Sequence, residues 1–142
     1  MMHVDPDNEA TYRIAVVPSD PKRISKPKHA ILKELEQCGF CGDAVFAIKL
    51  ALEEALINAL RHGNRSDPSK SITIRYAVTP AKVVVIVRDE GEGFDEGSVP
   101  DPTQPHRLPV PNGRGIMLMR AYMDEVDYRD GGREVRFVKH RE

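Results

Sequence analysis

The stretch ALEEALINALRHGN, residues 51–64, decides how the rest of the chain is read. Between Leu50 and Leu60 the only polar residues are Glu53, Glu54 and Asn58. At roughly 100° per residue, Glu54, Asn58, Arg61 and His62 share one narrow arc, and Glu53 falls well away from it. Leu52, Ala55, Leu56, Ala59 and Leu60 cover most of the rest, which predicts a largely buried helix. Asp43 is a good N-cap for it, and Gly63 and Asn64 stop it after His62. A carboxylate and an amide one turn apart on such a helix need partners, because an unpaired buried charge is expensive. Two readings stay open on these residues alone. In one, Glu54 pairs with Arg61 or His62 inside a core network and Asn58 holds a loop. In the other, the pair is a metal–nucleotide site. Mg²⁺ commonly takes one or two protein oxygens plus phosphate and water, and the Asn58 carbonyl suits it. Glu54 then orients or deprotonates an attacking hydroxyl.

On the N-terminal side, Thr11 to Val17 alternates and is rich in β-branched residues, as a first strand should be. Pro18, Pro21 and Pro27 punctuate the next segment, and Lys28 to Gln37 reads as a helix ended by Gly39. On the C-terminal side, Ser71 to Val78 and Lys82 to Arg88 read as an antiparallel hairpin around Thr79-Pro80-Ala81. From Phe94 to Asn112 lie five of the 11 prolines with no apolar periodicity, which excludes a regular helix or central strand. Such a segment in a compact domain is a lid, a binding loop or a disordered stretch. Order resumes with a short helix from Ile116 to Met123. Val126 to Tyr128 and Val135 to Val138 then form strands around Asp130-Gly131-Gly132. The order β-α-α-β-β-loop-α-β-β predicts an α+β fold: a two-layer sandwich whose mixed, mostly antiparallel sheet carries helices on one face.

The composition bounds the function. The 142 residues suit one domain of about 150 residues. Lys plus Arg is 21 against 22 for Asp plus Glu, a net charge of −1, so a broad basic face for nucleic acid or anionic lipid is not expected. The apolar runs are too short to cross a bilayer and the N-terminus lacks a signal-peptide layout, which predicts no membrane association. Two cysteines form no disulfide framework, so the reducing cytoplasm is the expected compartment. Cys38 and Cys41 have C-x-x-C spacing, which alone supplies half a zinc site. Gly39 and Gly42 place the pair in a turn between helices, where it reads as structural.

Two glycine segments complete the pattern. Arg88-Asp89-Glu90-Gly91-Glu92-Gly93 ends a strand. Its Asp can accept a hydrogen bond from an exocyclic amine such as that of adenine, and its glycines let backbone approach a flat ring. It lacks the third glycine and the βαβ unit of a dinucleotide fingerprint, and no P-loop occurs in the chain. Gly113-Arg114-Gly115 opens the third helix, where amides at a helix start suit phosphate.

Glu54-x-x-x-Asn58-x-x-x-His62-Gly63, Asp89-x-Gly91-x-Gly93 and Gly113-x-Gly115 occur in that order. Together they resemble the N-box and glycine boxes of the GHKL (Bergerat-fold) ATP-binding superfamily over residues 11–140. ALEEALINALRHGN, VRDEGEGFD and GRGIMLMRAYMDEVDY look most like the small stand-alone anti-sigma factor serine/threonine kinases. The resemblance implies ATP and Mg²⁺ as cofactors, Glu54 as catalytic base, and Asn58 as the Mg²⁺ ligand within an N-box that includes His62. It implies Asp89 as reader of the adenine amine, with Gly91 and Gly93 shaping that pocket. Residues 94–112 become the ATP lid, and Asn112, Gly113, Arg114, Gly115 and Ile116 its phosphate end. It further implies a STAS-type anti-anti-sigma protein, a sigma factor, or both, as partners, and a tendency to homodimers. One departure stands out: Asp130-Gly131-Gly132-Arg133-Glu134 has Arg133 where relatives commonly carry Thr, so a hydroxyl contact near the nucleotide lacks its residue.

Three functions compete on this basis. The first is an ATP-dependent serine/threonine kinase, the second a non-catalytic module that uses ATP to switch a protein surface. The third is a detached histidine-kinase-like catalytic domain. Helicase, gyrase and chaperone roles need further domains that 142 residues cannot hold.

Overall fold

The computed structural model describes residues 4–91 and 120–141. A five-stranded sheet runs in the order β1-β2-β3-β5-β4, built from β1 Arg13–Pro18, β2 Ser71–Val78, β3 Lys82–Arg88, β4 Glu125–Arg129 and β5 Glu134–His140. All four pairings are antiparallel, so among the described strands the sheet is not mixed: the expected parallel component is not seen. Two helices, α1 Pro21–Gln37 and α2 Gly42–Ile57, pack on one face of the sheet. The layered α+β architecture is as the sequence predicts.

Helix α1 begins earlier than its proline pattern suggests. Asp20 caps it, accepting from the Lys22 N–H at 2.8 Å, and Pro21 occupies the first turn, where no donor is needed. Pro27 lies inside the helix and is buried. Its missing N–H costs one intrahelical bond, offset by packing its ring into the core beside Ile24 and Ile31. The helix ends in a Schellman motif: Gly39, at φ +82°, donates to the Glu36 carbonyl, and Phe40 donates to that of Leu35, both at 3.1 Å. Cys41 follows directly as the N-cap of α2, without a side-chain cap bond. Asp43 is therefore not the cap but a first-turn acid, favourably placed near the positive end of the helix. Cys38 and Cys41 are both free thiols in the turn between the helices.

Helix α2 buries Ala44, Ala47, Ile48, Ala51, Leu52, Ala55 and Leu56. The alanines on its buried surface let it lie close to its neighbours. Beneath it, Ile72, Ile74 and Tyr76 of β2, Val83, Val85 and Val87 of β3, and Val135 and Phe137 of β5 complete the main core. The opposite face of the sheet buries only a small cluster of Tyr12, Ala77, Val84, Ile86 and Val138, with Val4 against it. On that face Glu134 takes ion pairs from Arg75, Arg88 and Arg129. Of the expected third helix, residues 120–122 are described and are helical.

Candidate functional site

The predicted α2 does not stay α-helical to His62. At Asn58 it widens into a π-helical turn, Asn58–Gly63. Asn64 N–H reaches back to the Ala59 carbonyl at 2.8 Å, and Ser66 N–H to that of Leu60 at 2.7 Å. π turns are rare and frequent at functional sites. The wider turn breaks the 100° spacing on which the four-residue arc rests. Glu54 and Asn58 remain one α-turn apart and half-buried, whereas Arg61 and His62 are exposed. The Glu54 side chain makes no hydrogen bond or ion pair with any described residue, so a Glu54 pairing with Arg61 or His62 is not found. The nearby Lys28 engages Glu53 instead, at 3.5 Å.

The widened turn carries Gly63 against the end of β3. A Cβ on Gly63 would fall within 3.0 Å of both carboxylate oxygens of Asp89, and one on Gly91 would overlap the Gly63 backbone. Neither glycine has a left-handed φ, so the requirement here is space alone. Asp89 is 8% exposed. Its N–H donates to the Arg133 carbonyl at 2.9 Å, and its Oδ1 accepts from Gly91 N–H at 2.7 Å. Oδ2 accepts no hydrogen bond from a described residue. Burial pushes the Asp89 carboxyl above the usual range, opposed by the Gly91 N–H and by the charges of Arg133, Arg88 and Lys70.

Asn64, fully buried, locks this arrangement. Its Nδ2 donates to Ser19 Oγ at 2.8 Å and to the Ser71 carbonyl at 2.9 Å, and its Oδ1 accepts from Glu90 N–H at 2.7 Å. One side chain thus ties the end of the helix to the β1–α1 junction, the start of β2 and the turn after Asp89. Sequence reasoning takes Asn64 only as a helix stop and misses this role. No local signal marks it, because Asn64 stands between Gly63 and the polar run Arg65-Ser66-Asp67-Pro68-Ser69-Lys70. Arg133 is the other residue missed as a contributor: its Nε donates to the Gly91 carbonyl at 2.8 Å.

Of the predicted site residues, the structure thus brings Asp89 and Gly91 to the end of the helix that bears Glu54 and Asn58. His62 points away from a buried role. Gly93, Asn112, Gly113, Arg114, Gly115, Ile116 and the proposed lid, residues 94–112, lie outside the described residues. The nucleotide side of the site can nevertheless be tested for fit. Asp89 offers one tethered oxygen and one without a described donor, beside two glycines whose missing Cβ atoms keep the approach open. An exocyclic amine suits that acceptor.

Residues 17–139 match the family described as Histidine kinase-like ATPase domain. The chain belongs to this ATPase family. Membership accounts for the α+β layering and carries ATP binding with it. The chain is also similar to Serine-protein kinase RsbW of Bacillus subtilis, 30% identical over 125 residues, 84% of this chain and 78% of that protein. It is 26% identical to the RsbW of Oceanobacillus iheyensis over 116 residues, 78% of this chain and 73% of the relative. It is likewise 26% identical to the RsbW of Listeria monocytogenes serotype 4a over 131 residues, 87% and 83% of the two chains. No helix among the described residues of this histidine kinase-like ATPase domain is long and apolar enough to cross a membrane.

Proposed function

We propose that this chain is an ATP-dependent protein serine/threonine kinase of anti-sigma type. It transfers the ATP γ-phosphoryl group to a serine or threonine of a STAS-type anti-anti-sigma partner and sequesters a sigma factor in a cytoplasmic setting. The observation that carries the reading is Glu54. It is a half-buried carboxylate with no partner among the described residues, one turn from Asn58, on the helix whose end packs against Asp89. A half-buried carboxylate without a protein partner is open to a ligand or a substrate hydroxyl. A catalytic one is kept available.

The division of labour follows from the chemistry of each group. Asp89 accepts from the adenine amine, and Gly63 and Gly91 keep the approach clear. Asn58 is the residue that would hold Mg²⁺ through its amide oxygen. When bound, the ion neutralises phosphate charge, and phosphoryl transfer depends mostly on such positioning and neutralisation. Glu54 accepts the proton of the attacking hydroxyl as its oxygen bonds to the γ-phosphorus and the bond to the leaving ADP breaks. Similarity to three serine-protein kinases over more than three quarters of this chain supports the same reading.

The test is incubation of the pure protein with Mg-ATP and candidate STAS-domain proteins. A phosphate mass shift on a partner serine or threonine is the expected result. Binding that depends on ATP and leaves the partner's mass unchanged would instead mark a nucleotide-driven switch.

A further inference from the structure

The β4–β5 turn holds the Asp89–Gly91 segment as well as Gly63 does. Asp130, Gly131 and Gly132 take φ values of +51°, +66° and +89°, three successive left-handed residues. Asp130, the one that is not glycine, is held by an ion pair with Arg88, the last residue of β3. Arg133 follows and grips the Asp89–Gly91 segment twice. Its carbonyl accepts from Asp89 N–H at 2.9 Å, and its Nε donates to the Gly91 carbonyl at 2.8 Å. Its Nη1 donates to the Asp130 carbonyl at 3.2 Å, so the guanidinium is itself fixed.

From this geometry we infer that Arg133 is a positioning residue of the nucleotide pocket: it sets the Gly91 backbone, and through it the Asp89 carboxylate, for an adenine nucleotide. The inference rests on the proposed nucleotide-binding role of that pocket. The Arg133 guanidinium both reaches the Gly91 carbonyl and brings a charge toward Asp89. Asp89 is faced by Arg88 from the end of β3, by Lys70 from the loop before β2 and by Arg133 from the β4–β5 turn, while the helix side presents Gly63. Arg133 is thus the neighbour that couples a peptide contact to a charge.

Two measurements on the full chain decide the matter. In the first, Mg-ADP affinity is measured by calorimetry from pH 5 to pH 8 for wild type, Arg133→Met and Arg133→Lys. Arg133→Met is expected to weaken binding about tenfold, the worth of one hydrogen bond to a charged group. It should also move the acid midpoint of binding to higher pH, because Asp89 loses a stabilising cation. Arg133→Lys keeps the charge without the Nε fork, so it should hold the midpoint near wild type while recovering only part of the affinity. In the second, the Asp89 carboxyl is titrated by ¹³C NMR in nucleotide-free protein, and the same ordering of midpoints is expected. Should Arg133→Met not fold, Arg133→Lys alone carries the test, through affinity lost at a fixed midpoint. Wild-type affinity and an unmoved Asp89 midpoint in Arg133→Met overturn the inference and leave the nucleotide reading intact. Failure of wild type itself to bind Mg-ADP overturns both.

Discussion

Gly63 and Asp89 are packed so closely that any side chain on the glycine would occupy the space of the carboxylate. Gly91 presses in turn on the Gly63 backbone, so the end of the long helix, the end of β3 and the turn after it form one tight stack. That stack leaves an aspartate buried at the edge of the core with a single backbone donor on one oxygen. Its cost in folding makes sense if the aspartate recognises a ligand.

The two glycines should behave differently when given a methyl group. In Gly63→Ala the new Cβ meets a side chain, which can swing away, so the fold survives with a loss of about 1–2 kcal/mol. In Gly91→Ala it meets the Gly63 backbone, which cannot, and the loss should exceed about 3 kcal/mol. Both variants should lose adenine-nucleotide affinity by more than about tenfold, since each displaces Asp89 or its donor. Urea unfolding and nucleotide titration, run side by side, separate the two effects.

Asn64→Ala deletes three side-chain hydrogen bonds and leaves the partly buried Glu90 N–H without its acceptor. On the order of 3 kcal/mol of stability should be lost, given roughly 1–3 kcal/mol for a buried group left unpaired. The urea midpoint should fall with an unchanged slope, because the folded state keeps its extent. A midpoint within error of wild type would mean that water replaces the network.

Asp89→Asn tests the cost of the buried carboxylate. Its pKa is raised in the folded state, chiefly by burial, so the folded protein holds that proton more tightly than the unfolded chain does. Stability from this group is therefore fully present below the ordinary Asp value of 3.8 and is lost as pH rises through the elevated one. The nucleotide-free Asp89→Asn protein should be at least as stable as wild type at pH 7, with the difference shrinking toward pH 3. It should also bind adenine nucleotide poorly. Thermal melts across that range, paired with titration of nucleotide, provide the check.

Much of this layout can be read without coordinates. The β2–β3 hairpin is legible residue for residue, because β-branched runs flank a Pro-containing turn that sheet pairing cannot extend through. Gly63 and Gly91 are legible because only glycine serves where backbone meets carboxylate or backbone. What is hidden arises from contacts between segments distant in sequence. The π turn at Asn58 has no periodic signature: it is forced where Gly63 and Asn64 must reach β3 and Ser19. Asn64 reads as punctuation, since a helix stop and a buried three-way tie look alike in one dimension. The start of α1 is obscured by Pro27, whose ring is rewarded by burial that a local rule does not see. Arg133 reads as a departure from a family pattern, and only the folded chain brings its Nε to the Gly91 carbonyl.

The central claim is that Glu54 is kept available to take a proton, and Glu54→Gln tests it most directly. The variant keeps the size and polarity of the side chain and removes its basicity. Nucleotide affinity should stay within about twofold of wild type. Single-turnover phosphate transfer to a partner serine or threonine, followed by mass spectrometry with saturating Mg-ATP, should fall about 10²–10⁴-fold, the range of a positioned general base. Transfer at the wild-type rate by Glu54→Gln would contradict the account.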